Sequence, residues 1–117
     1  MGCQWVPVGA KLCPVPQRHC REVLGGQLAS VHSASRNEQL RNLARTYTRR
    51  APWIGAVTSR TNGQWGSYWE DSSPWNYANW AATHPHHLLT TCTTLSTYDG
   101  LWRSRACFQL RPFICQY

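Results

Sequence analysis

Apolar and polar positions change their period along the chain. Leu40, Leu43 and Ala44 recur at helical spacing, with Arg36, Arg41 and Arg45 mostly off that stripe. The pattern predicts an amphipathic helix with Ser35 as N-cap and Glu38 closing a capping box. It should finish before Arg49-Arg50-Ala51-Pro52, because proline disfavours helical backbone at the residue before it. A shorter first helix is read from Pro16 or Gln17 to Leu24, started where a missing proline N–H costs nothing and stopped at Gly25-Gly26.

Strand-like stretches surround the helices. Gln27 to Val31 reads as a short strand with Leu28 and Val31 inward, and Trp53 to Val57 as another. Thr61-Asn62-Gly63 is a turn, followed by an extended piece from Trp65 to Trp69 and a long irregular loop. The β-branched run Thr90 to Leu95 is a strand, Tyr98-Asp99-Gly100 a turn, and Ala106 to Phe108 and Pro112 to Cys115 two further strands. Pro7 and Gly9 between Cys3 and Cys13 point to a stapled hairpin. Five of the seven tryptophans lie between Trp53 and Trp80, and that much ring area demands either a core or a binding face.

Composition narrows the class. A length of 117 residues suits one domain over 1–117, and no apolar run approaches a membrane span. Six cysteines without a C-x-x-C pair fit three disulfides and an oxidising compartment better than zinc. The start has no secretory signal, so the chain is expected to be the mature part of a processed precursor.

Leu24-Gly25-Gly26-Gln27-Leu28-Ala29-Ser30-Val31-His32-Ser33, Trp53-Ile54-Gly55, Trp102 five residues before Cys107, and Pro112-Phe113-Ile114-Cys115 together resemble the C-type lectin-like domain. The resemblance implies an α+β fold of two helices, short antiparallel sheets and a long loop. Its disulfides would be Cys3–Cys13, Cys20–Cys115 and Cys92–Cys107. With six residues between Cys13 and Cys20, the first strand and helix region is shortened. Trp53, Trp69 and Trp102 are expected inward, with at most Trp75 or Trp80 exposed.

The family's calcium-dependent sugar site would need Glu-Pro-Asn or Gln-Pro-Asp in the long loop and Trp-Asn-Asp later. Here those places hold His84-Pro85-His86 and Trp102-Arg103-Ser104, and Thr90 stands where an acidic residue is usual. Calcium wants six to eight oxygens, so no calcium cofactor is expected. His84, His86 and His87 are weak candidates for another metal, with Asp99 or His32 the available further ligands, and no functional metal is expected.

Charge is the remaining signal. Eleven arginines and one lysine stand against five acidic residues, a net charge of +7. Guanidinium forks pair bidentately with sulfate, phosphate or carboxylate, so the predicted partners are sulfated glycosaminoglycans, other polyanions or an anionic membrane surface. No base-reading motif points to specific nucleic acid. The first-choice site is Arg45, Arg49 and Arg50 at the helix exit; the second is Arg103, Arg105 and Arg111 around the last disulfide. Trp75 to Ala82, Asp99 to Cys107 and Arg111 to Tyr117 resemble the branch of the eosinophil granule major basic proteins. That likeness implies a basic domain cut from an acidic precursor, binding heparin-like chains without calcium and harming membranes. Thr83 to Cys92 also resembles a loop of fish type II antifreeze proteins, so ice binding is the alternative, with a structural or protein-interaction domain behind it. No catalytic constellation assembles, and Glu70-Asp71 reads as a loop anchor.

Overall fold

The computed structural model describes residues 4–6, 10–13, 20 and 26–116. Strands β1 (Gln4–Val6) and β2 (Ala10–Cys13) form the expected hairpin, and β3 (Gln27–Leu28) follows. Helix α1 (Ala34–Tyr47) leads into β4 (Trp53–Thr61) and β5 (Gln64–Trp69), then β6 (Thr91–Leu95), β7 (Trp102–Arg105) and β8 (Phe113–Gln116). The expected first helix and the Cys3–Cys13 bond lie outside the described residues.

The sheet runs β1-β2-β8-β4-β6-β7, with β3 on β8 and β5 on β4. All its pairings are antiparallel except the single contact of β4 with β8 at Trp53 and Phe113. Strand β8 thus stitches the two ends of the described chain together, and the Cys20–Cys115 disulfide fastens it, with Cα atoms 5.4 Å apart. Cys92–Cys107 joins β6 to the turn after β7, Cα atoms 4.9 Å apart. Both agree with the pairing that the resemblance implies.

Three local expectations are corrected. The N-cap of α1 is Ser33, whose Oγ accepts the Arg36 N–H at 3.1 Å; Glu38 lies a turn inside and pairs with Arg41 instead. Strand β3 stops at Leu28, because the Ala29 N–H then turns to Ile114 O and the Ser30 N–H to the Gln116 side chain. Residues 106–108 are not a strand: Gln109 N–H bonds Ala106 O and closes a turn there.

The core forms where α1 lays Leu40, Leu43 and Ala44 against the sheet with Ile54, Leu95 and Ile114. Trp53, Trp69 and Trp102 are buried, and none of the described indoles is exposed. Trp102 is the hub. Trp69, Trp75, Tyr77 and Trp80 each meet it edge to face with centroids 5.4 to 6.0 Å away. Contacts of that geometry contribute about 0.5–1.5 kcal/mol apiece beyond burial, so the rings give the long loop the order that its few ladder bonds do not. Gly55 admits the chain crossing above it: a Cβ there would stand 3.0 Å from Leu28 O and 3.2 Å from Ala29 O.

Candidate functional site

The long loop is pinned at both ends. At its start Asp71 accepts from Ser73, Ser30 and Gln116, the last two at 2.7 Å. Burial pushes the Asp71 carboxyl up, and those hydrogen bonds outweigh it, leaving it below its usual range. It is the anchor expected of the Glu70-Asp71 pair.

Further on, the loop lies along β7. Trp102 N–H donates to Asn79 O, Ala81 N–H donates to Trp102 O, and Ser104 N–H donates to His84 Nδ1 at 2.9 Å. His86 N–H donates to Ser104 Oγ at 3.0 Å, and the His84 and His86 rings stack with centroids 4.2 Å apart. An imidazole that accepts at Nδ1 from a backbone N–H is neutral there. Burial, His86, Arg105 and Arg103 together hold the His84 pKa below its usual value. His87 leaves this group and stacks on Trp65 at 5.4 Å, and His32 bonds Asn76. Among the described residues no three His, Cys, Asp or Glu side chains are grouped to hold a metal ion.

The arginines divide differently from the sequence reading. Arg45 and Arg49 are exposed, and Arg45 bonds Asn42 on its own helix. Arg50 swings away from them and donates to Leu110 O at 2.6 Å. There it joins Arg105 and Arg111, since both Arg105 and Arg50 oppose the charge on Arg111. Arg111 donates to Gln109 and to Ala51 O, with its guanidinium over the Trp53 ring at 5.9 Å. Its pKa is lowered by burial first and by Arg105 and Arg50 next. Arg103 is set apart, because Asp99 pairs with it at 2.9 Å and is itself held well below the carboxylate range by that contact. Among the described residues none of Arg50, Arg105 and Arg111 has a carboxylate partner. The buried Nε of Arg105 has no hydrogen-bond partner among the described residues. Phe108, 85% exposed, stands on the turn between them.

With this geometry in place, the Lectin C-type domain family is found to match residues 16–117. The chain belongs to that family. Proteoglycan 3 of Mus musculus is 40% identical to this C-type lectin domain over 102 residues, covering 86% of the chain and 45% of that protein. Eosinophil granule major basic protein 1 of Cavia porcellus is 34% identical over 101 residues, covering 84% and 43%. The chain therefore spans less than half the length of these curated relatives. A solved calcium-independent type II antifreeze protein matches with a TM-score of 0.72 at 22% identity, over 99% of this chain and 91% of that one. At that identity the likeness shows the fold alone.

Sequence reasoning missed Asn37, which is buried and bonds both Gly100 O at 2.9 Å and Trp102 Nε1 at 2.7 Å. The signal was there: Asn37 falls on the Leu40 and Ala44 stripe, where a polar residue needs a buried partner.

Proposed function

We propose that this C-type lectin domain binds sulfated polysaccharide through arginines, without calcium, as a basic secreted or granule-stored effector rather than an enzyme. One observation carries the reading: Arg50 from beyond the helix reaches the turn that carries Arg105 and Arg111, with no carboxylate among the described residues to neutralise the three. Like charges held together in a disulfide-braced frame favour an external anion. Arg45 and Arg49 would extend the field along the helix exit, and Arg103, already paired, would add least. The exposed Phe108 and Leu110 beside the cluster also suit an anionic membrane surface.

The calcium-free part of the reading rests on the donor set. Where the family places calcium oxygens, this chain has the His84 and His86 imidazoles, a guanidinium and a hydroxyl that already accepts a hydrogen bond. These groups do not fit a hard cation that takes carboxylate and carbonyl oxygens. Disulfides suit an oxidising compartment, and the granule in a relative's name agrees with storage.

Salt needed to elute the protein from a heparin column tests the proposal. Arg50→Gln/Arg105→Gln should lower it well beyond Arg45→Gln/Arg49→Gln, and Arg103→Gln should lower it least. Equal small losses in all three would leave only a diffuse field and sink the site. The second reading, ice binding, comes from the antifreeze-like loop from Thr83 to Cys92 and is opposed by the charge of Arg103 and Arg105 next to that loop. Thermal hysteresis in a freezing assay decides it.

A further inference from the structure

Strand β5 pairs with β4 alone, so its other side is open. The Asn62-Gly63 turn, with both residues at positive φ, makes Thr61 and Gln64 a hydrogen-bonded pair. Alternation then points the backbone groups of Gln64, Gly66 and Tyr68 at β4 and turns those of Trp65, Ser67 and Trp69 outward. Ser72 N–H meets the Trp69 carbonyl, whereas the N–H and C=O of Trp65 and Ser67 have no backbone partner among the described residues. Groups spaced at the strand repeat are complemented by another extended polypeptide.

Such a side is ordinarily guarded by charge, proline, a bulge or shortness. Gln64–Trp69 carries no charged residue and no proline, its register with β4 is unbroken, and its length is typical of a strand. Gly66 at its middle is called for by nothing inside the molecule. Its φ is not in the left-handed region, and a Cβ there would meet nothing within 4 Å. The space belongs to a groove of about 270 Å³ that Ser59, Thr61, Gln64 and Tyr68 also line.

We infer that β5 pairs antiparallel with β5 of a second copy of this chain, about a twofold axis at Gly66. In that register Trp65 of each copy exchanges hydrogen bonds with Ser67 of the other, so both outward residues are satisfied. Gly66 meets its own image at a non-hydrogen-bonded position, where Cα atoms come within about 4.5 Å and side chains crowd most. Tyr68, 51% exposed, falls opposite Gln64 of the second copy and diagonal to its Gly66, so its ring fills the groove there. Charge agrees with the same register. Glu70 of one copy falls beside the Asn62-Gly63 turn of the other, where Arg60 lies with no carboxylate partner among the described residues. The strand is thus its own complement in hydrogen bonding, shape and charge, which singles out a second copy over an unrelated segment. Two domains of net charge +7 repel overall, so the association is weak and tightens as salt screens them.

Sedimentation equilibrium from micromolar to millimolar protein, with no polyanion present, tests this. The dimer dissociation constant should fall at least about threefold between about 0.05 M and about 0.5 M salt. Ser67→Pro removes an outward N–H and leaves the ladder to β4 intact, and Gly66→Lys sets like charges face to face at the axis. Each should weaken association at least about tenfold at the higher salt, with the melting temperature of dilute Gly66→Lys unchanged. Gly66→Cys, on the axis, should oxidise to a covalent dimer faster than Gln64→Cys on the same face. A monomer at millimolar protein and high salt would leave this edge to a strand of some other protein and overturn the inference. A dimer that both Ser67→Pro and Gly66→Lys leave intact, or equal cross-linking of the two cysteine variants, would overturn it too. Heparin binding loosens with salt and this association tightens, so each can fail without the other.

Discussion

Replacing Asn37 by alanine removes one side chain that serves two elements. Its Nδ2 donates to Gly100 O, and its Oδ1 accepts from the Trp102 indole. The two losses are unequal. Gly100 O keeps a second donor in Asn79 Nδ2 at 2.8 Å, so that carbonyl stays satisfied. The Trp102 Nε1–H is left in the core, where Trp102 is 0% exposed, and an unmet buried donor costs about 1–3 kcal/mol. A small void where the amide stood adds to this, so Asn37→Ala should cost about 2–4 kcal/mol. For a domain of this size each kcal/mol moves the midpoint by about 4 °C, which gives a fall of about 8–16 °C. Asn79→Ala is the control: it removes only the redundant bond to Gly100 O and should cost about 1 kcal/mol or less. Thermal melts with disulfides intact measure both, and hydrogen exchange at the Trp102 indole reports the hub directly. If Asn37→Ala melted no lower than Asn79→Ala, the indole would not depend on Asn37 and the reasoning would fail.

Acidification should act first at His84. Its folded pKa lies below the usual 6.5, so its contribution to stability is complete above that value and is lost as pH falls toward the folded pKa. His84→Leu, with nothing to titrate, should flatten the wild-type decline in urea midpoint between about pH 7 and pH 5; an unchanged slope would exclude this residue. Asp71 follows the same sign at lower pH, its stabilisation present above 3.8 and lost below. Gly55→Ala would drive a Cβ onto the carbonyls of Leu28 and Ala29, and with backbone on both sides a loss of about 1–3 kcal/mol is expected by urea denaturation. Gly66→Val, on the same sheet but over open space, should show no such loss.

The elements that sequence reveals best are those set by local chemistry. Asn62-Gly63 between two extended runs forces the turn, and both residues take positive φ, 53° and 79°. The helix stripe was legible for the same reason. Its start was not, since Ser33 and Ser35 are both capping residues and only the backbone decides which one meets an N–H. Residues 106–108 read as a strand from Phe108 and Cys107, yet the chain must turn there to bring Cys107 to Cys92. The basic cluster was half legible. Composition singled out Arg50, Arg105 and Arg111, but placed Arg50 with Arg45 and Arg49. What joins it to the others is a hydrogen bond to Leu110 O across 60 positions of sequence, which no local pattern records.

The way the loop lies along β7 has a consequence for how molecules meet. Strand β7 ends the sheet, and an end strand with free N–H and C=O groups invites another chain to add itself. Asn79, Ala81 and His84 occupy the Trp102 N–H, the Trp102 C=O and the Ser104 N–H, so growth at this edge is blocked by the protein's own polypeptide. Two of these three contacts are made by loop backbone and one by a side chain. Side chains at positions 79 and 81 can therefore change without unblocking the rim, whereas position 84 must keep an acceptor.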